Sequence, residues 1–248
     1  MTGAPSGELT RVPLFPLGLV LFPGTQLPLH IFEPRYRTML ADVRAGDGRF
    51  GIVLRTGDDE RAIPHAYVGC YALVREAVPL GDGRSNILVD AGERFAVERL
   101  VDAGTPYHVA EVRPFADGPV RDPDALADAA RRARAAFARA VRAAHTLADE
   151  SPTADPSGIP PGVTLGAAAP PPTLPDDDAA VAFAVAAAVE LEPATRQRVL
   201  ASSDPAERTA YVARLLERAL PDVESRAALH LRARSNGHGP QDPPDSIA

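Results

Sequence analysis

VPLFPLGLVLFPGTQLPLHIFEPRYR, from Val12 to Arg37, is the stretch whose reading decides the fold. Its short apolar runs are cut by Pro13, Pro16, Pro23 and Pro28 and by two glycine-bearing turns, Leu17-Gly18 and Pro23-Gly24. Proline brings no N–H to a sheet ladder, so each of the four belongs at a strand start, an edge or a turn. The pattern predicts a rigid, sharply folded path, neither a helix nor a plain central strand. At Ile31-Phe32-Glu33-Pro34-Arg35-Tyr36-Arg37 it hands over to a helix, with Pro34 suited to the first turn.

Downstream, Tyr36, Met39, Leu40 and Val43 repeat at helical spacing until Gly46-Asp47-Gly48 turns the chain. Strand-length apolar runs lie at Gln26–Ile31, Phe50–Leu54, Tyr67–Arg75, Ser85–Asp90, Phe95–Val101 and Tyr107–Arg113. Asp82-Gly83 marks a hairpin between two of them. Several short strands with one helix fit a small, partly closed barrel. Asp122-Pro123 then opens a long helix ending near Asp149, with Leu126, Ala130, Ala133, Phe137, Ala140, Ala144 and Leu147 on one face and Arg131, Arg132, Arg139 and Arg142 opposite. Residues 151–175 read as a flexible linker, rich in Pro, Gly and Ala. A helix capped by Asp176–Asp178 and running to Leu191, another from Pro193, and a last one from Asp204-Pro205 with Leu215, Leu216 and Leu220 buried complete the pattern. The chain divides into a β domain at 9–118 and a helical subdomain at 119–235, with disordered tails at 1–8 and 236–248.

Composition narrows the function. A net charge of −7 argues against general nucleic-acid binding, which needs a basic footprint. No apolar run approaches the roughly 20 residues of a membrane span, and no basic-then-apolar leader opens the chain, so a cytoplasmic location is expected. All 26 basic residues are arginines. Without lysine there is no phosphate-binding P-loop of the Walker type. His30, His65, His108, His145, His230 and His238 show no metal-ligand spacing, and no cofactor motif is present. Cys70 with His65 could suggest a thiol and a base, but Cys70 sits within an apolar strand run, where a thiol is inert.

The order PLFPL, VLFPG, LPLHIFEPRYR (residues 13–37) resembles the opening of the Lon protease N-terminal domain, in the form found in small bacterial proteins without the ATPase and peptidase. Ala91-Gly92-Glu93-Arg94-Phe95 resembles that family's strand entry. The run from Leu191 to Leu220 resembles its helical end, where an Arg-Gln pair on a short helix precedes the last long one. The resemblance implies an α+β fold: a PUA-like, partly closed β-barrel with one short helix, followed by a helical bundle. It also implies a non-enzymatic module that binds unfolded protein or peptide segments, as an adaptor or holding factor that could work beside a separate protease. The Ser–Lys pair used by full-length Lon proteases cannot form here, for want of lysine. The rival readings are an RNA-binding PUA-like protein, which the charge disfavours, and a hydrolase reusing the fold, for which no nucleophile–base motif is found.

Phe32, Glu33, Arg35 and Tyr36 are the candidate binding residues: the aromatics offer contact area and the charges set polarity. The plainer reading makes the aromatics core and has Glu33 pairing with an arginine to pin the strand–helix junction. Between the two rings, Phe32 is expected to be structural and Tyr36 partly exposed, because Arg35 and Arg37 flank the latter.

Overall fold

A computed structural model describes residues 9–57, 59–60, 62–148 and 173–236. The expected linker at 151–175 and both expected tails lie almost wholly outside the described residues. Strand β1 (Thr10–Leu17) runs antiparallel to β6 (His108–Pro114) through residues 10–14 and parallel to β3 (Arg49–Leu54) through residues 14–17. The expectation that this stretch is no plain central strand is therefore corrected in one respect: β1 lies inside the sheet. Its prolines are tolerated because the strand changes partner at Leu14. Pro13 is in register with Val109 of β6 alone, and Pro16 with Val53 of β3 alone, so at each proline one edge needs no donor. Pro28 lies on β2 (Gln26–Ile31), the edge strand, as expected.

β4 (Tyr67–Pro79) and β5 (Ser85–Val101) form the long hairpin that Asp82-Gly83 announces. The two strands expected at Ser85–Asp90 and Phe95–Val101 are one 17-residue strand. Its first half pairs with β2 and β4, its second half with β4 and β6. Bulges in the β4–β5 ladder at Cys70/Ala72 and Val74/Glu76 accompany the change of partner. Pairings run β5–β4–β3–β1–β6 and back to β5, so the sheet is partly ring-like, with β2 added outside the ring. Within it, the ring of Phe95 crosses β3 and β4 at Gly51 and Gly69. A Cβ there would fall 2.6 Å and 2.5 Å from Phe95 Cζ, so both positions require glycine.

Helix α1 (Pro34–Ala45) buries Tyr36, Met39, Leu40 and Val43 against Phe15, Phe50, Ile87 and Val89. In α2 (Pro123–Ala148), Ala125 N–H donates to Asp122 Oδ1 at 2.9 Å, the expected cap. α3 is shorter than expected, Val181–Ala188: Asp177 caps a preceding turn through Ala179 N–H, and the extended backbone at Val189 ends the helix before α4 opens at Pro193. α4 (Pro193–Ala201) and α5 (Pro205–Asn236) begin at the expected prolines, and Asp204 Oδ1 accepts from Ala206 and Glu207 N–H. Arg132 and Arg139 of α2 pair with Glu217 and Glu224 of α5, a constant offset that makes the two helices parallel. Both arginines nevertheless remain exposed, so these are surface ion pairs.

One apolar cluster joins Val20, Phe22, Leu54 and Val68 of the β part to residues of all four later helices, including Phe137, Phe183, Leu200 and Leu216. The Arg196-Gln197 pair fastens α4 to that part: Arg196 Nη2 donates to Val20 O at 3.3 Å and Gln197 Nε2 to Val68 O at 2.9 Å. No described helix is long and apolar enough to cross a membrane.

Candidate functional site

The four candidate residues part company at the end of β2. Strand alternation buries Ile31 and turns Phe32 outward, leaving it 57% exposed. Tyr36, on the inner face of α1, is 2% exposed, with its ring 4.1 Å from that of Phe15. The expected roles are thus exchanged: Phe32 is the surface aromatic and Tyr36 the core one.

Glu33, Arg35 and Tyr36 meet at Glu60, in the loop after β3. Arg35 spans two carboxylates, donating from Nη1 to Glu60 Oε2 at 2.5 Å and from Nη2 to Glu33 Oε2 at 2.8 Å. Tyr36 Oη donates to Glu60 Oε2 at 3.3 Å, and His108 Nε2 lies 3.6 Å from the same oxygen. Hydrogen bonding from Arg35 holds the Glu60 carboxyl below the usual range, against burial. The same pairing pushes the Arg35 pKa up, while burial raises that of Tyr36 well above the ordinary phenol value, with Arg35 opposing. With Arg35 bridging the two carboxylates and Arg55 Nη1 3.9 Å from Glu60 Oε1, this cluster pins the loop to the strand–helix junction. Nothing in the sequence points to Glu60, since it lies 25 positions from Arg35.

Phe32 belongs instead to the outer face of the sheet made by β2, β5 and β4. Ladder register sets Gln26, Asp90 and Leu73 in one row, Pro28, Leu88 and Glu76 in the next, and His30, Asn86 and Val78 in the third. Directly opposed residues share a face. His30 bonds Asn86 Oδ1 at 2.6 Å through Nδ1, and its ring stacks on Phe32 at 5.9 Å and 20°. On the same face Val78 is exposed in the row of His30 and Asn86, and Leu73 in the row of Gln26 and Asp90. Arg37 folds over the adjoining turn, its Nη2 2.0 Å from where a Cβ on Gly83 would stand, and Gly83 has φ +82°, so two constraints keep glycine there. The sequence did carry a signal for this face. Alternation from Ala72 and Val74 turns Leu73 outward, whereas Val78 faces out only because the bulge at Val74/Glu76 shifts the register, which the sequence does not display.

Cys70 and His65 are not brought together. Cys70 is fully buried, with its Sγ donating to Gly92 O at 3.3 Å, and burial pushes its thiol up to about 12. His65 reaches Glu98 instead. Among the described residues no group of three His, Cys, Asp or Glu side chains is placed to hold a metal ion.

Comparison with known proteins agrees with this architecture. The family profile described as the ATP-dependent protease La (LON) substrate-binding domain matches residues 11–218. A Lon protease of Roseiflexus castenholzii is 29% identical over 210 residues, covering 84% of this chain and 24% of that protein. Lon protease 1 of Herpetosiphon aurantiacus is 28% identical over 139 residues, covering 54% and 16%. The chain therefore spans about a quarter or less of the curated relatives it matches. Among solved structures, a Lon N-terminal domain protein of Xanthomonas campestris aligns with a TM-score of 0.52 at 24% identity, covering 82% of this chain and 96% of that one. The N-terminal domain of a Mycobacterium avium complex Lon protease aligns at 0.58 and 16% identity, covering 84% and 98%. With most of its length matched by the profile and its fold shared with both structures, the chain belongs to the LON substrate-binding domain family.

Proposed function

We propose that the chain binds unfolded protein segments on the outer face of β2, β5 and β4, centred on Phe32, and so acts as an adaptor or holding module for a protease. The observation that carries this reading is the exposed phenyl ring of Phe32, stacked on His30 at the end of the outer sheet face, with Val78 exposed in the row of His30 two strands away. An exposed aromatic ring is a usual anchor of a protein contact. β2 also has a strand partner on one side alone. Pro28 removes one donor from its open edge, which favours recognition through side chains over addition of a strand. Family membership supports the substrate-binding role. Neither ATP hydrolysis nor peptide-bond cleavage forms part of it, since the chain has no lysine for a P-loop or a Ser–Lys pair.

The test is binding of reduced, carboxymethylated lactalbumin to the full chain and to Phe32→Ala. Truncating an anchor costs about 1–3 kcal/mol of binding, a weakening of roughly five- to 150-fold. Equal affinity for the two proteins would overturn the assignment of this face.

A further inference from the structure

Away from the sheet, α4 and α5 border a groove of about 550 Å³, with Ala125 of the first turn of α2 on its wall. Small apolar residues line it: Ala125, Val199, Ala206 and Ala210. Along α5, Glu207, Tyr211 and Arg214 follow at spacings of four and three, which puts them on one stripe about 10 Å long. From α4 the Arg198 guanidinium lies 4.4 Å from the centroid of the Tyr211 ring. Arg198 and Arg214 are both exposed, and among the described residues neither has a hydrogen bond or an ion pair. This is unlike Arg132 and Arg139 on the neighbouring helix, each matched to a glutamate by two hydrogen bonds. In a chain of net charge −7, Arg198 over the Tyr211 ring and Arg214 one turn further, whose charge Glu217 feels without bonding to it, make a local positive field.

We propose that this groove docks an acidic polypeptide segment, with side-chain carboxylates seated on Arg198 and Arg214. A guanidinium fork matches a carboxylate with two parallel N–H···O bonds. Contact with Tyr211 already restrains Arg198, so less side-chain freedom is lost on binding. A stripe of about 10 Å accommodates three residues of extended peptide. Glu207 marks the opposite end of the stripe from Arg214 and repels a uniform polyanion. A peptide can confine its carboxylates to one end, whereas a nucleic-acid strand carries a phosphate at every nucleotide. The site is separate from the Phe32 face and reads charge where that face reads apolar surface.

Fluorescence anisotropy on the full chain tests it, with a fluorescein-labelled Gly/Ser peptide carrying two adjacent glutamates. Binding should weaken at least tenfold in the double variant Arg198→Gln, Arg214→Gln, and remain unchanged in Phe32→Ala. The same peptide with glutamine in place of glutamate should not bind. Because both arginines are exposed, the double variant should melt with the wild-type protein, so lost binding reports the groove and not unfolding. Failure of the wild type to bind the glutamate peptide, equal binding by the double variant, or tighter arginine-dependent binding of oligothymidylate would overturn the proposal. Since Phe32→Ala is assayed separately on lactalbumin, failure here leaves the sheet-face reading standing.

Discussion

Phe32 and Tyr36 are four positions apart and answer to different periodicities. Phe32 continues the alternation of β2 one residue past its end, and the step after buried Ile31 faces water. Tyr36 opens the stripe Tyr36-Met39-Leu40-Val43 that α1 turns inward. That stripe was legible in the sequence, but the charged neighbours Arg35 and Arg37 argued the other way, and helical spacing prevailed because successive helical residues point about 100° apart. Of the Glu60 cluster only the Glu33–Arg35 pair was legible, as the plainer reading had it; Glu60 and His108 lie in separate segments and join it only in the fold. The two aromatics should therefore fail differently. Tyr36→Ala removes a packed ring and orphans part of the Glu60 network, and should cost about 3–5 kcal/mol of stability in urea unfolding. Phe32→Ala should stay within about 0.5 kcal/mol of the wild type, since its ring is mostly solvated. Equal losses in both would show that the ring of Phe32 is part of the core.

At the scale of elements, what the sequence displayed was local. Helix starts at Pro34, Pro123, Pro193 and Pro205 and the hairpin at Asp82-Gly83 stand as read, each set within a few residues by a first-turn proline, with a capping aspartate at Asp122 and Asp204, or by a turn. What it hid was pairing. β1 changes partner at Leu14, and β5 passes from β2 to β6 without a break; both depend on strands far along the chain. Gly69 and Gly51 are another case, since their need for glycine comes from the Phe95 ring on a different strand. The two sites differ in a testable way. At Gly51 the nearest obstacles are side-chain atoms of Phe95 and Leu14, whereas at Gly69 the carbonyl oxygen of Ile52 would also lie 2.7 Å from the new Cβ. A ring can tilt, but a carbonyl in a ladder moves only with its strand. Gly69→Ala should therefore destabilise by about 1–3 kcal/mol, more than Gly51→Ala, as read from denaturant midpoints. The reverse order would mean that the Phe95 ring, and not the backbone, limits the space.

Across the whole molecule, strands and helices are joined by buried charge as well as by apolar contact. Asp117, between β6 and α2, accepts from Arg94 of β5 and from both terminal nitrogens of Arg208 of α5, the latter at 2.6 Å and 2.8 Å. Arg94 also donates to Leu200 O and Ser202 O, and Arg208 to Ser202 O and Ala179 O, so the two guanidiniums reach the ends of α3, α4 and α5 together. Their side chains are 4% and 0% exposed, and one carboxylate is their shared counter-charge. Burial lowers the pKa of Arg94, with Asp117 opposing that shift. For Asp117 itself, burial acts to raise the pKa, but hydrogen bonding and charge from Arg208, then Arg94, outweigh it and hold the carboxyl below its ordinary range. A group whose folded pKa is depressed contributes stability that is complete above its unfolded value, near 4, and is lost as pH falls through the folded value. Asp117→Asn should then cost about 3–5 kcal/mol at pH 7, because it strands two buried cations. The gap between variant and wild type should narrow steadily below about pH 4, as protonation gives the wild type the same deficit. Urea midpoints for both proteins from pH 7 to pH 2.5 measure that gap directly, and the other carboxylates, common to both chains, cancel in the difference. A gap that stays constant down to pH 2.5 would mean that Asp117 holds the arginines as a hydrogen-bond acceptor and not through its charge.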